Sequence, residues 1–421
     1  MMKTIGLIDE KVVTNNLINL KNIVFEVTEK CNLKCKYCGL SERLYEKHDV
    51  REFRDLPFEK AKLMINYLLE LWNDNYVEDM NLPFIVSFYG GEPLLNIPLI
   101  EKIIDYIEKS NIQGRKIFYA MTTNAMLLDK YMDYLVEKKF NLAISLDGDE
   151  TAQSYRIDHA GNNSYSRVIR NVKLLQQTYP DYFNSYQVTF VSVLHNRNDV
   201  EPLLDFFKTH FDKIPMINPL SSHSISEDKK EEFWTMYQNK SQSLIKSANC
   251  EAIQDKHFLT MPKGLRLSQF LYHTSGNIYY TYNQLLMQKY GNDIVSTGTC
   301  TPFSKKLFLA VDGKILPCER IDHDFEIGHV YDGSVELDCK HVAEQHNYYL
   351  SKLKDQCLNC VGSKFCFQCI YHIDDIRKKS VHCHNFYTPE RFDKEKEENF
   401  ISLREHPHYY KRVLNDISFT L

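Results

Sequence analysis

Between residues 22 and 220, short apolar runs typical of β-strands alternate with longer amphipathic stretches typical of helices. This alternation predicts βαβ units around a parallel sheet, because two neighbouring parallel strands need a long crossover connection. The strand candidates are residues 23–28, 83–89, 116–122, 141–146, 187–194 and 215–219. The helical patterns between them include 58–71, 98–110, 129–139, 166–177 and 199–210. Such units predict an α/β fold built as a partial (β/α)6, TIM-like barrel, in which ligands gather at the C-terminal ends of the strands.

Small and polar residues directly follow four of the predicted strands. These segments are Thr28-Glu29-Lys30-Cys31, Tyr89-Gly90-Gly91-Glu92-Pro93, Thr122-Thr123-Asn124 and Asp147-Gly148. A Gly-Gly pair by itself indicates only a turn. Four such ends on one parallel sheet, however, meet at the same edge, so the sequence predicts a ligand site there.

The first of these ends carries three cysteines, Cys31, Cys35 and Cys38, in one short loop. A loop this tight can direct three thiolates at one metal cluster, but it lacks the fourth ligand of a closed site. A 4Fe–4S cluster is usually held by four Cys thiolates, so three leave one iron open to an external molecule, as in catalytic metal sites. The alternative is a zinc knuckle with His48 as the fourth ligand.

The composition excludes several classes of protein. A length of 421 residues predicts two or three domains, and 43% hydrophobic with 25% charged residues is ordinary for a globular chain. The net charge of -5 gives no electrostatic basis for binding nucleic acid or an anionic membrane. No apolar run approaches the roughly 18–20 residues that span a bilayer, and the first residues lack the apolar centre of a signal peptide. We therefore expect a cytoplasmic protein with neither a nucleic-acid nor a membrane partner.

A second group of cysteines lies in the last third of the chain. Cys300 precedes a predicted hairpin of residues 306–311 and 314–318, and its Asp312-Gly313 turn is expected to bring Cys300 and Cys318 together. Two CxxC pairs and a last cysteine follow: Cys357, Cys360, Cys366, Cys369 and Cys383. Without an export signal, this clustering indicates metal binding rather than disulfides. Since CxxC pairs fit zinc as well as iron–sulfur clusters, two structural zinc sites are the alternative.

These patterns predict five regions along the chain. They are a short N-terminal extension (1–20) that could hold a strand or two, the barrel (21–220), a helical bridge or lid (221–295), a cysteine-rich domain with a β-hairpin and helices (296–387) and a C-terminal tail (388–421). The boundary near residue 295 lies where cysteine becomes frequent and helical periodicity fades. Helical patterns occur at 229–247 and 265–273 in the bridge, and the charge run 391–398 predicts a solvated helix in the tail.

Together, the motifs of the barrel resemble the signature of radical S-adenosylmethionine (SAM) enzymes. The resemblance implies that a cluster on Cys31, Cys35 and Cys38 binds SAM and passes one electron to its sulfonium. The resulting 5′-deoxyadenosyl radical would abstract hydrogen from a substrate. The implied cofactor-binding residues are Tyr37, Gly90, Gly91, Glu92, Thr123, Asn124, Ser145, Asp147 and Arg156. Among these, the Gly-Gly-Glu backbone would receive the methionine amino group, and the last three residues would contact the ribose and the methionine carboxylate.

The second cysteine group resembles the SPASM extension of peptide- and protein-modifying radical SAM enzymes, although two residues instead of the usual three separate Cys366 from Cys369. The resemblance implies two auxiliary 4Fe–4S clusters, and three clusters in all. The ligands would be Cys357, Cys360, Cys366 and Cys383 for the distal cluster, and Cys300, Cys318 and Cys369 for the nearer one. Residues 293–299 contain no further cysteine. The nearer cluster therefore either keeps an open iron, which could bind a substrate thiolate, or recruits Cys339.

The residue after Cys318 bears on the reaction. Anaerobic sulfatase maturases are similar in architecture and use an aspartate there as a base, whereas this chain has Glu319, either a catalytic base or a surface carboxylate. The longer side chain and the absent cysteine favour a peptide maturase, which forms a thioether or carbon–carbon cross-link in a ribosomally made precursor peptide. The alternatives are sulfatase maturation (oxidation of Cys or Ser to formylglycine), peptide epimerisation and a non-catalytic iron–sulfur electron carrier.

The same resemblance implies the partners. They are the precursor peptide and a flavodoxin- or ferredoxin-like electron donor. Many relatives carry a leader-binding domain before the barrel, where residues 1–20 are too short for one. The leader is therefore expected to be captured by a separate protein, by β-addition at an exposed strand edge, or by residues 221–295.

Overall fold

The structure is a computed structural model that describes residues 4–40, 44–45, 51–75, 83–110, 115–274, 294–295 and 297–416. The chain divides into two compact units. The barrel unit comprises Asp9–Asn239 and Cys300–Gln345, and the second unit comprises Met1–Ile8, Lys240–Thr299 and His346–Leu421. The five regions predicted from the sequence stay a prediction.

The strands of the described residues, in chain order, are β1 (Thr4–Ile5), β2 (Asn22–Thr28), β3 (Phe84–Gly90), β4 (Ile117–Thr123), β5 (Asn141–Ser145), β6 (Val188–Leu194), β7 (Met216–Pro219), β8 (Ile294–Val295), β9 (Leu307–Leu309), β10 (Lys314–Leu316), β11 (Gly328–Val330) and β12 (Val335–Glu336). Ten of them form one sheet in the order β12-β11-β10-β9-β2-β3-β4-β5-β6-β7. The strands from β2 to β7 all run parallel to their neighbours. Their C-terminal ends therefore lie along one edge of the sheet.

The α-helices of the described residues are α1 (Glu10–Ile18), α2 (Phe58–Asp74), α3 (Ile97–Lys109), α4 (Leu128–Glu137), α5 (Tyr165–Thr178), α6 (Pro180–Asn184), α7 (Val200–Phe211), α8 (Lys230–Met236), α9 (Lys240–Ile245), α10 (Cys250–Lys256), α11 (Pro262–Thr274), α12 (Cys339–Ser351), α13 (Lys354–Asn359), α14 (Pro389–Glu405) and α15 (His408–Asp416). Helices α2, α3, α4, α5 and α7 lie between successive parallel strands in the chain, as βαβ units require. The predicted α/β fold with a TIM-like parallel arrangement is confirmed.

The burial pattern explains these elements. In α3, Ile100, Ile103, Ile104 and Ile107 recur at the helical spacing and are all buried, so this apolar stripe faces the core. In β3, alternate residues are buried and the residues between them are half-buried, which is the period of a strand with two different faces.

The predicted hairpin extends the sheet of the barrel. Strands β9 and β10 pair antiparallel, and Gly313 between them has a left-handed φ of +105°. Strand β9 also pairs in parallel with β2, where Leu307 lies opposite Ile23. At the turn, Lys60 Nζ donates a hydrogen bond of 2.5 Å to the Asp312 carbonyl. The residues after Cys300 up to Gln345 therefore pack with the barrel.

The N-terminal extension folds differently from the expected strand or two, because helix α1 follows the short strand β1. Asp9 caps this helix by accepting the Val12 N–H at 3.0 Å, and Val13 and Leu17 are buried at the helical spacing.

The bridge also departs from its local pattern. The helical pattern at 229–247 forms two separate helices, because Tyr237 is extended with a ψ of 131°. Gln238 Nε2 donates to the Asn198 carbonyl at 2.8 Å and to Asp199 Oδ1 at 2.9 Å. These bonds to the loop after β6 hold the segment out of a continuous helix.

The second unit is mainly helical. Strand β1 pairs in parallel with β8, and helix α11 contacts α15 through a core that includes Phe258, Leu267, Tyr409 and Val413. The charge run 391–398 lies in α14, which confirms the helix predicted there. No helix within the described part of the chain is both long and apolar enough to cross a membrane.

Candidate functional site

The cysteine loop starts at the end of β2 and is bonded to the end of β3. Within the loop, the Lys30 N–H donates to Thr28 Oγ1 at 3.1 Å. The Gly91 N–H donates to the Thr28 carbonyl and the Glu92 N–H to the Lys30 carbonyl, both at 2.9 Å. The Gly-Gly turn predicted from the sequence therefore lies directly against the backbone that leads into Cys31.

This contact leaves no space for side chains at either glycine. Gly90 has a φ of +140°, and a Cβ placed on it would lie 2.2 Å from the Thr28 carbonyl oxygen. A Cβ on Gly91 would lie 2.2 Å from the Lys30 carbonyl oxygen. Because both obstacles are backbone atoms, a larger residue would have to push the loop away from β3.

We expect Gly91→Ala to displace the cysteine loop. The added Cβ would clash with the backbone of Lys30, next to Cys31. The iron bound per chain after anaerobic reconstitution and the rate of SAM cleavage should both fall by roughly tenfold or more. A site misplaced by about 1 Å can lose a hundredfold in rate. Gly161→Ala is the control for a glycine replacement without a clash, because no atom lies within 4 Å of a Cβ there, although its φ of +86° adds backbone strain. Normal iron content and SAM cleavage in Gly91→Ala would contradict the importance of this close approach.

Glu92 joins the ends of β3 and β4 by its side chain. Its carboxylate accepts hydrogen bonds from the Thr123 hydroxyl at 2.7 Å, the Asn124 N–H at 2.7 Å and the Leu94 N–H at 3.2 Å. The side chain is 1% exposed, and this burial raises its pKa to about 7, against the effect of its three donors. The Glu92 carboxylate thus fixes Thr123 and Asn124 at the end of β4. The contact of the Glu92 backbone with a cofactor stays a prediction.

Asn124 binds the cysteine loop from the end of β4. Its Nδ2 donates to Asn32 Oδ1 at 2.7 Å and lies 3.8 Å from Cys31 Sγ. The Asn124 side chain therefore holds the loop next to the first cysteine, while its backbone N–H is fixed by Glu92.

The opposite side of the loop is bonded to the segment after β5. The Lys34 N–H donates to the Ile157 carbonyl at 2.6 Å, and the Lys36 N–H donates to the Tyr155 carbonyl at 3.0 Å. The ends of several parallel strands therefore converge on one loop, as the pattern of polar residues after each strand predicted.

A buried ion pair lies beneath the cysteines. Arg156 donates to Asp147 through Nε at 2.9 Å and through a terminal nitrogen at 3.0 Å. The Val193 N–H also donates to Asp147, at 2.9 Å, and the Tyr37 hydroxyl donates to the same carboxylate. Asp147 is fully buried, which by itself raises its pKa, but Arg156 outweighs burial and holds that pKa below its usual range.

Three of the predicted cofactor residues thus contact one another, namely Tyr37, Asp147 and Arg156. Ser145 is half-buried at the end of β5, opposite Val191 of β6. The predicted contacts of these four residues with SAM stay predictions.

The three thiols of the loop lie close enough to affect one another. Burial raises the pKa of both Cys31 and Cys35 to about 12, and the neighbouring Cys38 raises each further. A thiolate at these positions is therefore unfavourable unless a positively charged centre neutralises it. Half-buried thiols grouped in this way fit the ligand set of a 4Fe–4S cluster.

The hairpin carries a second charged group near the barrel. Lys306 Nζ lies 2.9 and 3.0 Å from the two carboxylate oxygens of Glu319. Burial raises the pKa of Glu319, but Lys306 outweighs it, so the pKa is lowered and the carboxylate is ionised. Tyr89, which the sequence did not mark as a site residue, is half-buried, and its pKa is raised first by burial and then by Glu319 and Cys38. Its phenol therefore lies within electrostatic reach of both the cysteine loop and the hairpin.

The four cysteines assigned to the distal cluster come together in the second unit. Burial raises the pKa of Cys357 to about 12, and Cys366, Cys383 and Cys360 raise it further. The Tyr387 N–H donates to Cys360 Sγ at 3.4 Å. Cys360, Cys366 and Cys383 thus lie within electrostatic reach of Cys357, and their assignment to one cluster stays a prediction.

The nearer set is divided between the two units. Cys300 is exposed and Cys318 half-buried in the barrel unit, and Cys369 is half-buried in the second unit. Cys339 begins helix α12, where burial raises its pKa and Thr14 of α1 is hydrogen-bonded to it. The composition of the nearer set stays a prediction.

Two further observations concern metals. His48, the alternative zinc ligand, lies outside the described residues. Among the residues that the structure does describe, no group of three or more His, Cys, Asp or Glu side chains is arranged to hold a single metal ion.

The sequence missed His195, which follows β6 directly and is fully buried beside Asp147. The signal that could have found it is the one used for the other strands, a polar residue immediately after an apolar run.

Comparison with known proteins identifies the class of domain that carries this site. Residues 25–208 match the model of the Radical SAM superfamily. Residues 25–208 therefore form a radical SAM domain. The cofactors of the superfamily are SAM and a 4Fe–4S cluster, and the cysteine loop supplies the residues that fit them.

Two relatives show which radical SAM enzymes the chain is similar to. It is 31% identical to the radical SAM cyclopropyl synthase TigE of Paramaledivibacter caminithermalis over 42% of this chain and 35% of TigE. It is 25% identical to a cysteine-type anaerobic sulfatase-maturating enzyme of Clostridium novyi over 51% of this chain and 56% of that enzyme. The chain thus matches about a third to a half of the length of these relatives.

A solved structure supports the fold over nearly the whole chain. Native anSMEcpe with bound AdoMet and Cp18Cys peptide aligns with a TM-score of 0.57 at 20% identity, covering 94% of this chain and 99% of that one. At this identity the likeness concerns the fold.

Proposed function

We propose that this protein is a radical SAM peptide maturase that generates a 5′-deoxyadenosyl radical, abstracts hydrogen from a ribosomally made precursor peptide and forms a thioether or carbon–carbon cross-link. The observation that carries the proposal is the loop of Cys31, Cys35 and Cys38, which is bonded to the ends of several parallel strands at the mouth of the barrel. Three sulfurs at that edge leave one iron of a cluster free for SAM.

The chain's own residues provide the positioning. When bound, the cluster and SAM supply the one-electron chemistry. Gly91 lets the loop approach β3, Asn124 holds its first cysteine, and Asp147 holds Tyr37 beneath the last two. A cluster and SAM bound here would lie at the ligand-binding end of a parallel barrel.

Two auxiliary clusters belong to the same proposal. The grouping of the four distal thiols in the second unit supports one of them. The nearer one would use Cys300, Cys318 and Cys369, with an open iron available to a substrate thiolate. Iron and sulfide analysis of wild type and of cysteine variants in each set measures the number of clusters.

A peptide substrate is supported by a structural comparison. The fold of the chain aligns with that of anSMEcpe, which was solved with a bound peptide. We also propose that a flavodoxin- or ferredoxin-like protein supplies the electron and that a separate protein, a strand edge or residues 221–295 captures the leader.

Sulfatase maturation is the second candidate, and the ionised state of the Glu319 carboxylate, rather than its longer side chain, favours it. This carboxylate lies next to Cys318 and is ionised. It also raises the pKa of Tyr89, so the two side chains interact electrostatically. Formylglycine detected with an aldehyde-reactive probe on a Cys- or Ser-containing sulfatase peptide would replace the cross-linking proposal.

If Glu319 takes a proton from the substrate, Glu319→Gln should lower peptide modification by about a hundredfold, the usual size of a general-base effect. Release of 5′-deoxyadenosine should fall much less, because SAM cleavage precedes that step. Glu336→Gln, an exposed position on β12, is the control. Equal loss of both products would assign Glu319 a structural role, and wild-type modification would exclude it as the base.

The decisive experiment is co-expression with precursor peptides encoded beside the gene, followed by mass spectrometry. Loss of two hydrogens with a new covalent link supports cross-linking, whereas deuterium uptake without loss of mass from the unlabelled peptide indicates epimerisation. Purified enzyme incubated anaerobically with SAM and a strong reductant should form 5′-deoxyadenosine. A fully iron-loaded enzyme that forms none would instead be an electron carrier.

A further inference from the structure

His195 presents a buried proton donor to the ion pair beneath the cysteines. The Arg197 N–H donates to His195 Nδ1 at 3.2 Å, so the ring proton is on Nε2. This Nε2 lies 3.8 Å from Asp147 Oδ2 and has no hydrogen-bond partner. A buried N–H without an acceptor is unfavourable, and Asp147 is the acceptor towards which it is directed.

The backbone around His195 is fixed independently of the cysteine loop. The His195 N–H donates to Asn198 Oδ1 at 2.8 Å, and Asn198 Nδ2 donates to the Asp147 carbonyl at 3.1 Å. Gln238 Nε2 in turn donates to the Asn198 carbonyl at 2.8 Å. The imidazole is therefore held in place from the β6 side of the barrel.

The imidazole also contacts the loop side of the network. Its ring centroid lies 5.7 Å from that of Tyr37 and 4.8 Å from that of Tyr155. The Tyr37 hydroxyl donates to Asp147, and the Arg156 guanidinium lies 5.4 Å from the centre of the Tyr37 ring. Tyr37 lies between Cys35 and Cys38 in the sequence, so a displacement of this residue would move the backbone that carries both cysteines.

We propose that His195 is a positioning residue for the cysteine loop. It acts through Asp147 and Tyr37: the imidazole holds the carboxylate in place, the carboxylate holds the phenol, and the phenol holds the loop in the conformation that presents Cys31, Cys35 and Cys38 together. This inference rests on the proposed function only in taking that loop as the binding site of the SAM cluster. A role limited to filling the core is the competing explanation.

The two explanations differ in which variant preserves the site. His195→Phe keeps a ring but loses the donor, whereas His195→Gln places an amide N–H near the position of Nε2. Phe183→Leu is the control for lost stability, because Phe183 is fully buried among Phe190 and Phe211, away from this network. Should His195→Phe fail to fold, His195→Asn, too short to reach Asp147, takes its place.

The readout is the rate at which iodoacetamide alkylates each cysteine of the full-length, cluster-free chain, measured by mass spectrometry. We expect rates at Cys31, Cys35 and Cys38 to rise about tenfold in His195→Phe, the order of magnitude for removing a buried N–H that lies beside a carboxylate, and to stay within about twofold of wild type in His195→Gln. Cys357 and Cys360 in the second unit serve as internal references. In the reconstituted enzyme, the electron paramagnetic resonance change on adding SAM should be lost in His195→Phe and kept in His195→Gln.

Three results would overturn the inference: equal rises at the loop and reference cysteines, equal behaviour of the Phe and Gln variants, or a rise in Phe183→Leu as large as in His195→Phe. Alkylation of the cluster-free chain requires neither SAM nor peptide. Failure of wild type to cleave SAM, with the expected alkylation pattern intact, would therefore remove the proposed function and leave the role of His195 standing.

Discussion

Cys35→Ala is expected to abolish SAM cleavage. The change removes one of the three sulfurs of the loop, so formation of 5′-deoxyadenosine should fall to background, a loss of roughly a thousandfold or more, about 4 kcal/mol of activation free energy. If all three clusters are present, iron should drop from about twelve to about eight atoms per chain. Liquid chromatography of the nucleoside and iron analysis of anaerobically reconstituted enzyme measure both quantities.

The matched control is Cys250→Ala. Cys250 is half-buried at the start of α10, where Gln254 Nε2 lies 3.3 Å from its sulfur, and it belongs to neither predicted ligand group. This variant should keep the iron content and the SAM cleavage of wild type. Retention of both properties in Cys35→Ala, or their loss in Cys250→Ala, would show that the first loop does not hold the catalytic cluster.

Asp147→Ala is expected to have the largest effect on stability. It leaves the guanidinium of Arg156 buried without its carboxylate, and breaking a buried ion pair in this way typically costs about 3–5 kcal/mol of unfolding free energy. Urea denaturation of the cluster-free chain measures this loss. Asp205→Ala, at an exposed position on α7, should change the unfolding free energy by less than about 0.5 kcal/mol.

The double variant Asp147→Leu with Arg156→Met separates charge from shape. Removing both charges leaves no uncompensated ion, so this protein should be more stable than Asp147→Ala. If the double variant has the lower free energy of unfolding, the loss in Asp147→Ala does not come from leaving the Arg156 guanidinium buried without a partner.

The same carboxylate predicts a pH dependence. The pKa of Asp147 is lower in the folded chain than its unfolded value of about 4, so its contribution to stability is complete above that pH. The contribution is lost as the pH falls from about 4 towards the folded pKa, because the unfolded chain then binds the proton first. The stability difference between wild type and Asp147→Asn should therefore narrow on acidification below about pH 4, as followed by urea denaturation. A constant difference down to pH 2.5 would show that the pKa of Asp147 in the folded chain is not lower than its unfolded value.

Much of the barrel could be predicted from local sequence patterns. The strand runs before Cys31, Gly90, Asn124 and Asp147 have the apolar character of buried strands, and the polar residues after them occur where parallel strands end. Local patterns were less reliable at residues 10–18 and near Tyr237. At residues 10–18, Asp9 caps a helix that the sequence did not predict. Near Tyr237, hydrogen bonds from the Gln238 side chain interrupt a helix that the sequence did predict.

The candidate site could be predicted only in part. Spacing identified the three loop cysteines, because ligands of one cluster on a short loop are close in sequence. His195 and Tyr89 were missed, since their importance comes from neighbours on other strands and on the hairpin. The predicted role of Glu92 concerned its backbone, whereas its carboxylate binds residues at the end of β4.

The sequence by itself determined the α/β class, and it predicted the edge of the sheet that carries the site and the cysteines that bind an iron–sulfur cluster, because periodicity and ligand spacing are local properties. Only the tertiary structure decided that Tyr37, Asp147, Arg156 and His195 form one buried network. It also decided that strand β9 of the hairpin pairs with β2. These contacts join residues far apart in the chain, and whether a polar group is stabilised or stranded depends on the partners that the closed fold places around it.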